Sequence, residues 1–443
     1  MAYLRLPFCS PYKVIWYLAK QGPGPAEFIH HAYARYVWQM EGWRALPRVA
    51  LYSIVWPLAF LHLSWKHTSR LGAKVSSVSG KSRRRQVLEQ FWVALCYSIS
   101  PKKYYVFELF RPERFRNAGA YIARYEFKGG LHNLLESRIE HPTRRILNDK
   151  AAFFRHCEAH GVFTPPSFLI VHQDGESEPL QPFDGVLPAC NLFPKPLRGR
   201  GGRGCERWIY RPDGKYVDQT GTELDAAALL ERIRNLAKKE DYIVQESLAG
   251  HSDLCDLSMN VLTSCRMMSV KNEQGGFEVT HAVFKSSTKP EAIVDNFHKG
   301  GIVSRVDIRS GELGPASDAG VGRPCVWYDT HPLTGARIAG RKLPLWQETL
   351  DLVRKAHAAF PDRITVGWDV AISERGPVVL EGNVQSGCDM IQRTHDVPAG
   401  IGRLAECYAY HVRVALRRDV SMAWKIRKGL AQEPVAQASH QLD

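Results

Sequence analysis

Val366-Gly367-Trp368-Asp369-Val370-Ala371-Ile372, the polar segment Ser373 to Gly376, and Pro377-Val378-Val379-Leu380-Glu381-Gly382-Asn383 decide how the rest of the chain is read. Two apolar runs around a short polar segment that contains Gly predict a β-hairpin. Period-two alternation puts Glu381 and Asn383 on one face of its second strand, with Asp369 able to sit opposite. Two carboxylates and a neutral amide suit a hard cation, Mg²⁺ or alternatively Mn²⁺, held by few protein groups and shared with substrate phosphates. A solvated strand pair bearing two acids is the plainer use of the same residues taken alone.

In the middle of the chain, Leu192-Phe193-Pro194-Lys195-Pro196 runs into Gly199-Arg200-Gly201-Gly202-Arg203-Gly204. Four glycines and two arginines leave backbone N–H groups able to wrap an anion, so the loop suits phosphates; a flexible basic loop is the alternative. Gly199, Gly201 and Gly204 satisfy G-x-G-x-x-G, but no helix follows. Cys205 to Tyr210 reads as a strand, Arg211 to Gly214 as a turn and Lys215 to Val217 as the returning strand, which makes a hairpin with a glycine flap. Gly80-Lys81-Ser82 mimics the end of a Walker A loop, but Val75 stands where its first glycine belongs.

In this order the segments resemble the ATP-grasp superfamily, most closely its sugar-transfer-associated branch, which is related to α-L-glutamate ligases. The resemblance covers roughly residues 131 to 415. It implies an α+β fold in which two subdomains clasp ATP. In Leu147-Asn148-Asp149-Lys150-Ala151-Ala152-Phe153-Phe154, Lys150 is similar to the family's first nucleotide lysine, and Lys195 to its second. Gly199, Gly201, Gly202 and Gly204 then belong to the flap over the triphosphate. Tyr242-Ile243-Val244-Gln245-Glu246 resembles the strand whose backbone meets adenine, with Glu246, Asp253 or Asp256 as ribose acceptors. Arg266 resembles the arginine above the transferred phosphate, and Val294 to Gly301, with Asn296, the Asn and Gly-Gly segment. Asp369, Glu381 and Asn383 fall on the magnesium ligands. Lys285 departs from the pattern, since an arginine is the commoner residue there and would offer a planar fork instead of a point charge. Singly, Lys150 reads as a solvated helix residue, Arg266 as a partner for a buried acid, and Asn296 as a turn former. Their joint order favours one nucleotide cleft. The resemblance implies an ATP-dependent carboxylate–amine ligase working through an acylphosphate. A phosphotransferase acting on a hydroxyl, and a membrane-associated scaffold that only binds nucleotide, stay open beside it.

With 443 residues the chain exceeds the usual size of one core. The expected parts are a mainly helical region over 1–130, ATP-grasp subdomains over 131–245 and 246–420, and a polar tail over 421–443. Residues 1–130 are rich in Trp, Tyr and Arg and lack strand–helix alternation, which suits a membrane-docking or acceptor-binding module. Helices are expected around Arg85–Ser98, over Glu223–Lys239 and over Leu345–Ala359, with a hairpin at Gly275-Gly276. Ten cysteines without a C-x-x-C pair read as reduced thiols in a cytoplasmic protein. Met1 to Ser10 does not read as a signal peptide. The formal charge of +14 calls for an anionic partner. Nucleic acid is disfavoured because no recognised module is present, whereas the apolar run Val49 to Trp65, between Arg44 and Arg48 on one side and Lys66, His67 and Arg70 on the other, suits an anionic membrane surface. A buried core helix is the equal alternative for that run. On the membrane reading, the basic cluster Lys81 to Arg85 assists and the protein is peripheral on the inner face of the plasma membrane.

Overall fold

A computed structural model describes residues 11–20, 22–41, 45–136, 143–198, 202–259, 261–289, 300–318 and 325–427. The Met1–Ser10 segment and the tail from 428 lie outside them. Among the described residues before 131 every regular element is helical: α1 (Tyr12–Leu18), α2 (Pro25–Glu41), α3 (Ala45–Ser79), α4 (Arg83–Tyr97), α5 (Pro101–Val106) and short turns after them. Polar caps set the starts. The Ser82 hydroxyl accepts from the Arg85 N–H at the head of α4, and Ser100 with Pro101 opens α5.

Next come α6 (Lys150–Ala159), β1 (Ser167–Val171), β2 (Ser177–Pro179), β3 (Leu192–Pro196), β4 (Trp208–Tyr210), β5 (Tyr216–Asp218), β6 (Glu223–Leu224), α7 (Ala226–Ala237) and β7 (Tyr242–Glu246). The strands form one sheet in the order β2-β1-β7-β3-β4-β5-β6. The helix expected over Glu223–Lys239 starts later. Glu223 and Leu224 pair with β5, and Asp225 caps α7 by accepting from the Ala228 N–H at 2.8 Å. Leu229 and Ile233 of α7 close a core over Leu169, Leu192, Trp208 and Val244.

A second sheet, ordered β11-β10-β9-β8-β12-β13, contains β8 (Ser264–Lys271), β9 (Phe277–Ser286), β10 (Ile302–Val306), β11 (Leu313–Ser317), β12 (Thr365–Ser373) and β13 (Gly376–Asn383). All its pairings are antiparallel. Alternation sends its two faces to different cores. Met267, Phe284, Val366 and Trp368 pack against α8 (Trp346–Ala358). Met268, Val270, Val283 and Val303 pack against α2 and α9 (Arg403–Arg427). The helical region therefore shares a core with the second sheet; Phe127 stacks on Tyr408 of α9 with ring centroids 4.1 Å apart. Each large apolar side chain buried there contributes roughly 1.5–3 kcal/mol.

Candidate active site

Antiparallel register assembles the site. Asp369 on β12 stands directly between Glu381 on β13 and Arg266 on β8, so side chains from three strands meet on one face. Arg266 donates from Nε to Asp369 Oδ1 at 2.8 Å and from Nη2 to Oδ2 at 2.9 Å, a bidentate fork. Lys285 Nζ on β9 lies 3.2 Å from Oδ1. Burial by itself would raise the Asp369 carboxyl, but Arg266 and Lys285 outweigh it and hold the group far below the usual carboxylate range. Glu381 keeps solvent access, yet burial of its carboxyl, then the Asp369 charge and a hydrogen bond shared with Asp369, push it up. Asn383 Nδ2 donates to Glu381 Oε1 at 3.0 Å and opposes that rise.

The first sheet and the helix before it supply the lysines. Lys195 projects from β3, and Lys150 opens α6, where Asp149 Oδ1 accepts from the N–H groups of Ala151 and Ala152, each at 3.0 Å. Lys150 Nζ donates to the carbonyls of Pro196 at 3.0 Å and Leu197 at 2.9 Å, which ties it to the end of the Lys195 strand. Burial lowers the Lys150 pKa, with Glu381 the foremost opposing charge. Burial and repulsion from Lys150 bring Lys195 down to about 8, again opposed by Glu381. One carboxylate of the hairpin thus acts electrostatically on both lysines, one on β3 and one at the start of α6. Gly382 permits this approach: a Cβ there would meet Leu147 Cδ2 at 2.6 Å and Trp368 Cζ3 at 2.8 Å, so the segment leading into Lys150 packs directly on β13.

Gly199 and Gly201, and Asn296 with the rest of Val294–Lys299, lie outside the described residues. Gly202 and Gly204 have φ of 67° and 73°. Gly204 is fastened to the sheet, its carbonyl accepting from the Tyr242 hydroxyl at 3.0 Å. Gln245 is buried and donates to Ser167 Oγ at 2.6 Å. Its strand, β7, is interior, paired with β1 and β3, and the N–H groups of Glu246 and Ser247 donate to Pro166 and Asn191, both at 2.8 Å. Of the ribose candidates, Glu246 is ion-paired with Arg375 at 2.7 Å and Asp256 with Arg341 at 2.8 Å. Asp253 keeps an exposed carboxylate 3.8 Å from His251 Nδ1. Sequence reasoning missed Ser386, which accepts from Arg266 Nη1 at 3.3 Å. Its only signal was its place in Gln385-Ser386-Gly387, just past Asn383.

Among the described residues no three His, Cys, Asp or Glu side chains form a metal-binding group. The hairpin offers two carboxylates and an amide. Asp369 and Glu381 face each other across the hairpin and Asn383 adds a neutral oxygen, a donor set whose chemistry suits a divalent cation, while both Asp369 oxygens are held here by Arg266 and Oδ1 also by Lys285.

Two antiparallel sheets, with Lys195 on one and an Asp–Glu–Asn hairpin on the other, define an ATP-grasp fold. Residues 133–397, more than half of the chain, match the sugar-transfer associated ATP-grasp family, and the chain belongs to it. No curated protein matches the chain. Similar solved structures include an L-amino acid ligase from Bacillus licheniformis, at 13% identity over 61% of this chain and 49% of that one, TM-score 0.35. A D-alanine–D-alanine ligase from Bacillus anthracis complexed with ATP is 12% identical over 65% of this chain and 69% of its own, TM-score 0.30. The VanG D-Ala:D-Ser ligase from Enterococcus faecalis is 13% identical over 61% and 60%, TM-score 0.34. The chain spans about half the length of the L-amino acid ligase.

Proposed function

We propose that the protein is an ATP-dependent carboxylate–amine ligase that forms an amide through an acylphosphate, on a cell-surface sugar conjugate or its lipid-linked precursor. One observation carries the reading: Arg266 and Lys285 converge on the Asp369–Glu381–Asn383 hairpin while Lys150 and Lys195 feel the same Glu381 from the start of α6 and from β3. Four cations around the Asp369–Glu381–Asn383 hairpin suit a triphosphate and its counter-ion. Mg²⁺, held by Asp369, Glu381 and Asn383, would supply neutralising charge at the β- and γ-phosphates. The amides of Glu246 and Ser247 are used within the protein, so adenine is read by other groups at this edge of β7, and Asp253 is the ribose acceptor. A substrate carboxylate oxygen attacks the γ-phosphorus, the bond to the β-phosphate oxygen breaks, and ADP leaves. Lys150, Lys195 and Arg266 offset the charge on the transferring group. An amine nitrogen then attacks the acyl carbon, loses a proton and expels phosphate, while the glycine-rich segment 199–204 excludes water from the acylphosphate. The sugar-linked acceptor is supported by the family's association with sugar transfer.

The test is ADP release by the full chain against pools of amino acids and sugar acids, with and without amines. The expected result is release only when carboxylate and amine are both present, lost in Glu381→Gln at an unchanged melting temperature. ADP release with a hydroxyl acceptor and no amine would assign a phosphotransferase. Nucleotide binding without turnover on any pool would leave a scaffold.

A further inference from the structure

Helix α3 buries one stripe and leaves another bare. Trp56, Phe60, Ser64 and Thr68 are buried against α4. Ser64 donates to Gln90 Oε1 at 2.9 Å, Gln90 Nε2 donates to Thr68 at 3.0 Å, and the Phe91 ring lies 5.6 Å from Trp56 and 5.4 Å from Phe60. Leu51, Ile54, Leu58, Leu61 and Trp65 follow a 3-4-3-4 spacing on the opposite face and are between 57% and 73% exposed. The run Val49–Trp65 is therefore half core and half open surface, so the core-helix reading accounts for one face and leaves the other uncovered. The open stripe is roughly 21 Å long, at about 1.5 Å per residue.

The charges around it are one-sided. The 35-residue helix contains no Asp or Glu. Lys66 and Arg70, both exposed, follow Trp65 at the end of the stripe, and with Lys102 at the start of α5 they crowd His67 closely enough to add to the fall that burial causes in its pKa. The Lys81–Arg85 cluster stands apart from the stripe. It lies beyond the far end of α3, and Lys81 and Arg85 are paired with Glu89 at 2.7 and 3.2 Å. A second copy packed on this stripe would set cationic flanks against each other with no acid on the helix to meet them. A lipid surface supplies both acyl chains for the stripe and phosphates for the cations, and Trp65 stands at their junction, where an indole is favoured. No described helix is long and apolar enough to cross a membrane.

We propose that α3 lies along an anionic lipid bilayer, its Leu51–Trp65 stripe in the acyl boundary and Lys66, Arg70 and Lys102 at the headgroup phosphates. The test is co-sedimentation of the full chain with phosphatidylcholine vesicles, with and without phosphatidylserine, at low and high salt. Binding to the phosphatidylserine vesicles that weakens with salt is expected. Changing Lys66, Arg70 and Lys102 together to Gln should lower the partition coefficient about a hundredfold, at roughly fivefold per cation. Leu58→Ser with Leu61→Ser should lower binding to both vesicle types, with nucleotide affinity and melting temperature unchanged. Failure to bind either vesicle at any salt overturns the proposal. So does binding that neither variant set weakens, or a dimer in solution that the Leu58 and Leu61 changes dissociate in a protein that ignores vesicles.

Discussion

Lys195 carries the most informative titration in the cleft. Its pKa near 8 comes from burial first and Lys150 second, so a group that ordinarily ionises at about 10.4 is still mostly charged at neutral pH but loses its proton just above it. The folded-state value is below the unfolded one, so charging Lys195 opposes folding at pH below about 8, and that penalty fades as the pH rises through the folded pKa. Phosphate binding needs the opposite form. Between about pH 8 and 10, the chain without nucleotide should gain stability from this group while nucleotide affinity falls. Lys195→Arg keeps its charge and should flatten the affinity profile, and Lys195→Met should cost about 1.5–3 kcal/mol of binding, the worth of a charge-assisted hydrogen bond. Calorimetric titration of ATP against pH, beside thermal melts of the free protein, checks both signs; an affinity that ignores pH in the native chain would remove the role. The sequence marked the lysine through its Pro-Lys-Pro strand. It could not show the depressed pKa, because Lys150 arrives from another element.

At the scale of elements, period two carried the reading furthest. The Asp369–Glu381 pairing and the turn from Ser373 to Gly376 were legible because one hairpin fixes its own register. The partners across the sheet were not. Arg266 and Lys285 reach Asp369, and Ser386 reaches Arg266, only through the strand order β9-β8-β12-β13, which local alternation does not specify. The start of α7 was misplaced because Glu223 and Leu224 suit a helix until β5 offers them a ladder. The flap was legible as glycine-rich, but its anchor was hidden: Gly204, at φ 73°, lies where a Cβ would be 2.9 Å from both Pro196 Cγ and Tyr242 Oη. Gly204→Ala should therefore strain the backbone by about 1–2 kcal/mol and lift the trailing end of the flap from β3 and β7. The expected outcome is a KM for ATP raised several-fold with a small fall in melting temperature. Tyr242→Phe, which removes the hydroxyl bonded to the Gly204 carbonyl, should act in the same direction more weakly, and an unchanged KM in both would detach the flap anchor from nucleotide binding.

At the scale of the whole molecule, the helical region is joined to the second sheet by polar contacts as well as by their shared core. Glu108, fully buried and at φ 52°, pairs with Arg393 at 2.9 Å and Arg111 at 2.6 Å, and accepts from Cys325 N–H and Trp327 Nε1, both at 3.1 Å. Nothing local in Phe107-Glu108-Leu109 announces Arg393, Cys325 and Trp327, more than 200 residues away, so this joint was beyond sequence reading. Burial would raise the Glu108 carboxyl, but Arg393 and Arg111 outweigh it and leave it below the ordinary value. Its contribution to stability is then complete above the usual glutamate range and is lost only as the pH falls below that range. Glu108→Gln leaves Arg393 buried without its counter-charge and should destabilise the protein by about 3–5 kcal/mol. The double change Glu108→Leu with Arg393→Met should recover much of that loss, since two apolar groups leave no buried charge. Because α2, α9 and the second sheet close one core, unfolding followed by far-ultraviolet dichroism and by tryptophan fluorescence should shift as a single transition in the Gln variant. If only an early, helix-weighted transition moved and the nucleotide-binding sheets melted as before, the two parts would be separate folding units and Glu108 a local fastening.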